Sequence, residues 1–506
     1  MYKTRETTAN QKKHLWPLAL AAFALLASPV SAQQLDEYVT TSGAVKAETL
    51  EPCYVAGVSD RARCATFQVP LNYEDPAAGN IGIFAAILPA TGTEVKDDPL
   101  LILAGGPGSA AADYGRLVHS AFAKVRENRE IILIDHRGTG KSHKLGCDLP
   151  GDLTDFTLMT GLARKCREKH DVDVRLFGLE PAMRDIAEIT AAMGYDKLNL
   201  WGGSYGTRAA ALLIRRFPER IRSAVLDGVL APDMALFESA PLGAERALTK
   251  LFDDCEQDVA CNRAFPDFRT DTRDFLDSLT DKDFITRGLD PITMAPYDLA
   301  LPKYPVVHNI RAALYDSNAA AILPLALQQA QSGNGNILAA LQATIGLAVD
   351  SMALGSTLSI LCGDEIARNN GNLIAEVSKD TFTEDSYFLF WQTACQGWDY
   401  LEPPADVRAP LVSDLPILLL SGDLDPVTPP SNGEYWLKTL TAARHIVVPG
   451  TGHITSMAGC MPSLIGDFVE ELDSSGLDAS CLDKIKRPAF VTSVMGPSRE
   501  QTGDEQ

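Results

Sequence analysis

The 506-residue sequence contains no CxxC pair, no HExxH motif and no other clustering of cysteine with histidine, which removes the usual spacings of a zinc site. No metal and no cofactor is therefore expected. Beyond the first 30 residues there is no uninterrupted apolar stretch of about 18 residues, the length a helix needs to cross a bilayer. Internal repeats and low-complexity tracts are also missing, so a solenoid is excluded. Basic residues are in short supply, 45 Lys and Arg against 66 Asp and Glu, for a net charge of −21. Nucleic acid and anionic lipid both require a cationic face to displace their counterions, so neither is an expected partner. A monomer is the simplest expectation.

What is present is an ordinary globular composition, 46% hydrophobic and 22% charged, large enough for one big domain carrying an inserted second one. Lys3, Arg5, Lys12 and Lys13 precede an apolar run from Leu15 to Val30, and Val30, Ser31 and Ala32 form a cleavage position. Residues 1–32 read as a secretory signal cut after Ala32, placing the mature chain in the periplasm or the medium. Four basic residues against Glu6 give that segment +3, so its removal leaves a mature charge near −24. All ten cysteines lie beyond the signal, and an even count in an exported chain favours disulfides. Short loops close most easily, so the natural pairs are Cys53 with Cys64, Cys147 with Cys166, Cys255 with Cys261, Cys362 with Cys395 and Cys460 with Cys481, although spacing leaves the connectivity open.

From Cys64 the pattern is an antiparallel pair of strands. From Pro99 short buried strands alternate with amphipathic helices, the signature of a mostly parallel sheet with helices on both faces. Strands are expected at Leu100 to Ala104, Ile131 to Asp135, Leu198 to Trp201 and Ser223 to Asp227, with helices at Ala110 to Val125, Met183 to Met193 and Thr207 to Arg216. The rhythm lapses near Met234 into helical stretches at Gly243 to Cys255, Arg269 to Leu279, Asn309 to Tyr315 and Ala319 to Gln331. It resumes at Leu415 to Leu420, followed by a helix at Glu434 to Thr441, the strand His445 to Val448 and a helix at Ser463 to Leu472. The expected division is 33–233 for the first part of the core, 234–400 for an inserted, mainly helical cap, 401–486 for the second part of the core, and 487–506 for a polar tail.

Gly202 to Thr207 read GGSYGT, a GxSxG motif between a buried strand and a helix. Flanking side chains would collide on so tight a turn, hence the glycines, and Ser204 is the expected nucleophile. A serine needs a base, and the base a third group to hold its tautomer; in α/β-hydrolases these follow in the order Ser, acid, His. His453, on the loop GTGH past a strand, is the expected base. Asp425 in SGDLDPVTPP is the expected acid, with Asp423 two residues earlier as the alternative. The oxyanion donors are expected to be the backbone NH groups of Tyr205 and of Gly106 in the loop GGPG. DHRGTGKS at Asp135 to Ser142 ends like a phosphate-binding loop but has Asp135 where glycine belongs, and it reads as a structural turn.

These residues resemble the secreted tripeptidyl aminopeptidase and prolyl iminopeptidase branch of the α/β-hydrolases. The likeness runs from about Cys64 to Cys481 and rests on CATFQVPLNYEDP, LAGGPGSA, DHRGTGKS, GGSYGT, ILCGDE, CQGW, GDLDPVTP and GTGH. It implies an α/β-hydrolase fold, the triad Ser204, Asp425 and His453, and the donors Gly106 and Tyr205. The iminopeptidases carry HGGPG where this chain has Ala104 before GGPG, which favours the tripeptidyl type. The implied substrate is a peptide with a free N-terminus, whose ammonium calls for carboxylates from the cap. Asp364 and Glu365 are the first candidates, then Glu238 and Glu245. A carboxylesterase using the same triad is the competing expectation, distinguished by a cap without converging carboxylates.

Overall fold

The computed structural model describes residues 46–47, 49–147, 156–279, 284–289, 295–341 and 352–498. The expected signal segment and the last residues of the polar tail lie outside the described residues. Among those described, ten strands form one sheet. They are β1 (Lys46–Ala47), β2 (Glu51–Cys53), β3 (Ala62–Pro70), β4 (Asn80–Leu88), β5 (Leu100–Leu103), β6 (Ile131–Ile134), β7 (Leu198–Gly203), β8 (Ile221–Asp227) and, after the separate hairpin β9 (Phe284–Leu289) and β10 (Pro296–Leu301), β11 (Ile417–Gly422) and β12 (Ala443–Val448). The order across the sheet is β1, β3, β4, β6, β5, β7, β8, β11, β12, with β2 also on β3. The first strands pair antiparallel as far as β4 on β6; from β6 to β12 every pairing is parallel.

The central strands are apolar because both their faces are covered. Leu101, Leu103, Ile132, Ile134 and Leu200 point into one cluster, which includes the helices Leu179–Ala192 and Gly206–Arg216. Leu100, Ile102, Ile131, Leu133 and Trp201 point into another, beneath Gly115–Ala121 and Met461–Glu471. This alternation by two puts every β5, β6, β7 and β11 residue out of solvent. The strands then end together at one edge, where the loops carrying Ser204, Asp425 and His453 emerge.

Several elements differ from expectation. The helix expected over Ala110 to Val125 is broken into a 3₁₀ turn and two short helices, because Phe122 leaves helical backbone and sets its ring edge-on to Trp201, 5.6 Å between centroids. The helix expected from Gly243 starts at Leu236 and runs to Gln257 with Pro241 inside it. The hairpin β9–β10 and the helices Met159–Arg167 and Leu354–Asp364 were not anticipated. Leu354–Asp364 is buried on all sides, so it has no amphipathic period to betray it.

All ten cysteines are paired in sequence order, with Cα separations from 5.2 to 6.4 Å. Cys362–Cys395 ties the helix Leu354–Asp364 to the helix Ser386–Cys395. DHRGTGKS forms the structural turn read from its Asp135. The Asp135 carboxylate accepts from the NH groups of Ala112 and Lys141 at 2.9 and 3.0 Å, and Arg137 grips Asp185 through two bonds of 2.7 and 2.6 Å. Asp185 also accepts from Tyr73 Oη at 2.8 Å, so this fully buried pair is satisfied on every side.

Candidate active site

β7 runs directly into Ser204, and the helix Gly206–Arg216 starts two residues later. Ser204 has φ 55°, a left-handed conformation that costs a non-glycine residue about 1–3 kcal/mol and is held here by its surroundings. Its NH donates to the Asp227 carbonyl at 2.8 Å, and its own carbonyl accepts from Thr207. The turn is closed by backbone on backbone. A Cβ at Gly202 would lie 2.5 Å from the Gly206 carbonyl oxygen, and one at Gly105 would lie 2.5 Å from that of Gly203 and 3.0 Å from Ser204 Cβ. The GGPG loop is thereby pressed onto the serine turn. Gly105 NH is taken up by Tyr114 Oη at 3.2 Å, whereas the NH groups of Gly106 and Tyr205 have no acceptor among the described residues.

Asp425 sits in the loop after β11 and is fully buried. Its Oδ1 accepts from the NH groups of Val427 and Thr428, both at 2.9 Å. Its Oδ2 accepts from Thr428 Oγ1 at 2.8 Å and faces His453 Nδ1 at 2.8 Å. Burial alone would push this carboxyl up, but the facing histidine and the converging donors outweigh it and hold Asp425 below the usual carboxylate range. Burial would push His453 down; Asp425, with a smaller contribution from Asp227, reverses this and holds the imidazole above 6.5. Because the carboxylate occupies Nδ1, the proton belongs there and Nε2 is left to accept. Asp423 faces the other way, 3.7 Å from Lys250.

Ser204 Oγ and His453 share no hydrogen bond in this structure, yet both border one dipeptide. Asp227 holds Ser204 by its carbonyl, and Gly228 lies under the His453 ring, where a Cβ would come within 2.9 Å of Cε1. Asp227 does more with its side chain. This fully buried carboxylate accepts from Thr455 and Ser456, through both NH groups and both hydroxyls, at 2.6 to 3.1 Å. Sequence reasoning missed Asp227; an acid directly after the apolar run Ala224 to Leu226 was the available signal. Thr428, also missed, bridges acid and base, with Oγ1 3.1 Å from His453 Nδ1. Tyr315, at the end of the helix Lys303–Ala313, also reaches the site; its carbonyl accepts from His453 NH at 2.8 Å and its ring stands edge-on to the imidazole, 5.1 Å between centroids.

Of the four carboxylates expected to receive an ammonium, Asp364, Glu365 and Glu238 lie around Arg368, and Glu245 pairs with Arg273. Glu365 is fully buried in an ion pair with Arg208, 3.5 Å from Arg368, and accepts from Leu236 NH. Asp364 accepts from Tyr205 Oη at 2.9 Å, behind the serine turn. Glu245 is gripped by Arg273 and accepts from Phe382 NH. Glu238, half-buried on the first turn of the helix Leu236–Gln257, carries no side-chain hydrogen bond or ion pair among the described residues. Glu365 and Glu245 are thus paired with arginines and Asp364 with a tyrosine hydroxyl, each partner being remote in sequence or on another element. Among the described residues there is no group of His, Cys, Asp and Glu placed to hold a metal ion, and no helix is long and apolar enough to cross a membrane.

Residues 98–284 match the α/β-hydrolase fold family and residues 385–481 match the TAP-like protein family. The chain is similar to a serine protease of Mycobacterium tuberculosis, 29% identical over 225 residues that cover 40% of this chain and 42% of the relative. It is also similar to the tripeptidyl aminopeptidase of Streptomyces coelicolor, 28% identical over 224 residues, 40% of this chain and 41% of the relative. The chain thus spans about two fifths of the length of the curated relatives it matches. Among solved structures it is similar to a proline iminopeptidase from Mycobacterium smegmatis, 14% identical, covering 81% of this chain and 98% of that one, with a TM-score of 0.37. Together the two matches support a TAP-like α/β-hydrolase.

Proposed function

We propose that the chain is an exported serine exopeptidase that releases one to three residues from peptide N-termini through an acyl-enzyme. The observation that carries this reading is the buried Asp425–His453 pair at 2.8 Å beside a serine in left-handed backbone. Ser204 Oγ attacks the scissile carbonyl while His453 Nε2 takes its proton. The NH groups of Tyr205 and Gly106 receive the oxyanion, and His453 returns the proton to the leaving amine. Water then repeats the sequence on the ester. Peptide substrates are supported by the names of the relatives, and export by the five disulfides and the charged-then-apolar leader. The division into a core, 33–233 and 401–486, around a cap, 234–400, belongs to the same proposal.

A carboxylesterase is the second reading, favoured by one observation: Asp364, Glu365 and Glu245 are spent on partners of their own. The two separate on three substrates: a peptide with a free N-terminus, its acetylated form and a short-chain ester, each with wild type and Ser204→Ala. The exopeptidase cleaves the first and loses it on acetylation. Equal cleavage of the acetylated peptide would sink the aminopeptidase reading, and an active Ser204→Ala would sink the mechanism.

A further inference from the structure

Five arginines are buried among the described residues, and four of them face carboxylates. Arg126 meets Asp60, Arg129 meets Asp98 and Glu470, Arg137 meets Asp185, and Arg208 meets Glu365. The fifth, Arg311, is 4% exposed and has none among the described residues. Its single hydrogen bond goes from Nη2 to Tyr315 Oη at 3.0 Å, and its Nε has no acceptor. Its remaining support is aromatic, with Cζ 4.1 Å from the Tyr387 ring centroid and 5.4 Å from that of Tyr315. His308, stacked on Tyr387, is pushed by burial down to about 4 and so stays neutral beside it. A guanidinium always keeps its charge, and a buried one without an anion is costly unless something it meets in use supplies that anion.

Its position says what that is. Tyr315, which holds the guanidinium, is the residue that packs edge-on against His453 and bonds its NH. His453 delivers its proton to the leaving group, so Arg311 stands one side chain away from where that group departs. We propose that Arg311 is a substrate-binding residue that receives a carboxylate on the leaving-group side of the scissile bond, such as the free C-terminus of a short peptide. The guanidinium offers Nε and Nη1 as a planar fork to two carboxylate oxygens, with Tyr387 and Tyr315 excluding water around it. This rests on the reading of Ser204 and His453 as nucleophile and base, and it makes short peptides or carboxylate-bearing leaving groups the preferred substrates.

The test measures kcat/KM for a tetraalanine peptide with a free or an amidated C-terminus, and for para-acetoxybenzoate against para-acetoxybenzamide. Wild type is expected to favour the carboxylate member of each pair by roughly tenfold to a hundredfold. Arg311→Gln removes that preference through KM, and Arg311→Lys keeps part of it. No preference in wild type, or an equal fall on both members of each pair in Arg311→Gln, overturns the proposal. A preference confined to the ester pair, with neither peptide cleaved, defeats the peptidase reading and leaves Arg311 standing. A preference for Glu over Gln on the acyl side of an amidated peptide, without one at the C-terminus, overturns the leaving-group placement. Should Arg311→Gln not fold, wild type alone decides: benzoate is expected to compete at least about tenfold better than benzamide, and equal inhibition refutes the proposal.

Discussion

Asp425 and Glu365 are both carboxylates with no solvent exposure, and they have opposite fates. Asp425 faces one nitrogen of a ring whose other nitrogen is left to accept, so the charge it stabilises can appear and disappear during a reaction. Glu365 faces Arg208 and Arg368, whose charges are permanent. The loop after β11 thus holds a group poised to change its protonation, while the end of the helix Leu354–Asp364 holds one that is neutralised once and for all. A buried carboxylate is informative about chemistry only through the partner it is given.

That contrast can be broken by substitution. The largest effect is expected from Ser204→Ala, with kcat down by roughly 10⁶-fold and the protein still folded, as judged by an unchanged melting curve. Asp425→Asn is expected to lower kcat by about 10⁴-fold, since the amide favours the wrong tautomer of His453. The same variant sharpens the electrostatic half of the comparison. His453 must be neutral to accept a proton and its pKa is held above 6.5, so kcat/KM in wild type should fall as pH drops through that raised value. Removing the Asp425 charge should move the acid limb downward, and an unmoved limb would mean that another group sets it.

Glu365→Gln should do the reverse of Asp425→Asn. It leaves Arg208 buried without its anion and is expected to cost about 3–5 kcal/mol of stability in denaturant unfolding. A large change in KM for peptides with no loss of stability would return Glu365 to substrate binding. The smallest effect is expected from Asp423→Asn, which should leave kcat/KM within about twofold because its carboxylate faces Lys250 rather than His453. A drop comparable to that of Asp425→Asn would exchange their roles.

The parts of this architecture carried by short-range pattern were readable in the amino-acid order. Buried strands followed by helices announce a parallel sheet, and a serine between two glycines at a strand end marks a tight turn. The histidine and aspartate named from loop context lie 2.8 Å apart. What could not be read is carried by partners distant in the chain. Asp364 and Glu365 look like free acids until Tyr205 and Arg208, more than 150 residues earlier, arrive beside them. Asp227 acquires its donors from a loop 228 and 229 residues later. The helix Leu354–Asp364 escaped for a different reason, since an element buried on all sides has no polar face to set its period. Arg311 stands out only when the missing carboxylate can be seen to be missing.

The main-chain bond from His453 to the Tyr315 carbonyl bears on modularity. Gly452 lies so close to that carbonyl that a Cβ there would come within 2.2 Å of its oxygen. Such a joint is indifferent to which side chain stands at position 315 and demanding about where its backbone runs. A foreign segment grafted in place of the one around Tyr315 would therefore have to reproduce the path of one peptide unit before it could offer any new specificity, so that segment and the histidine loop are best exchanged as a single part.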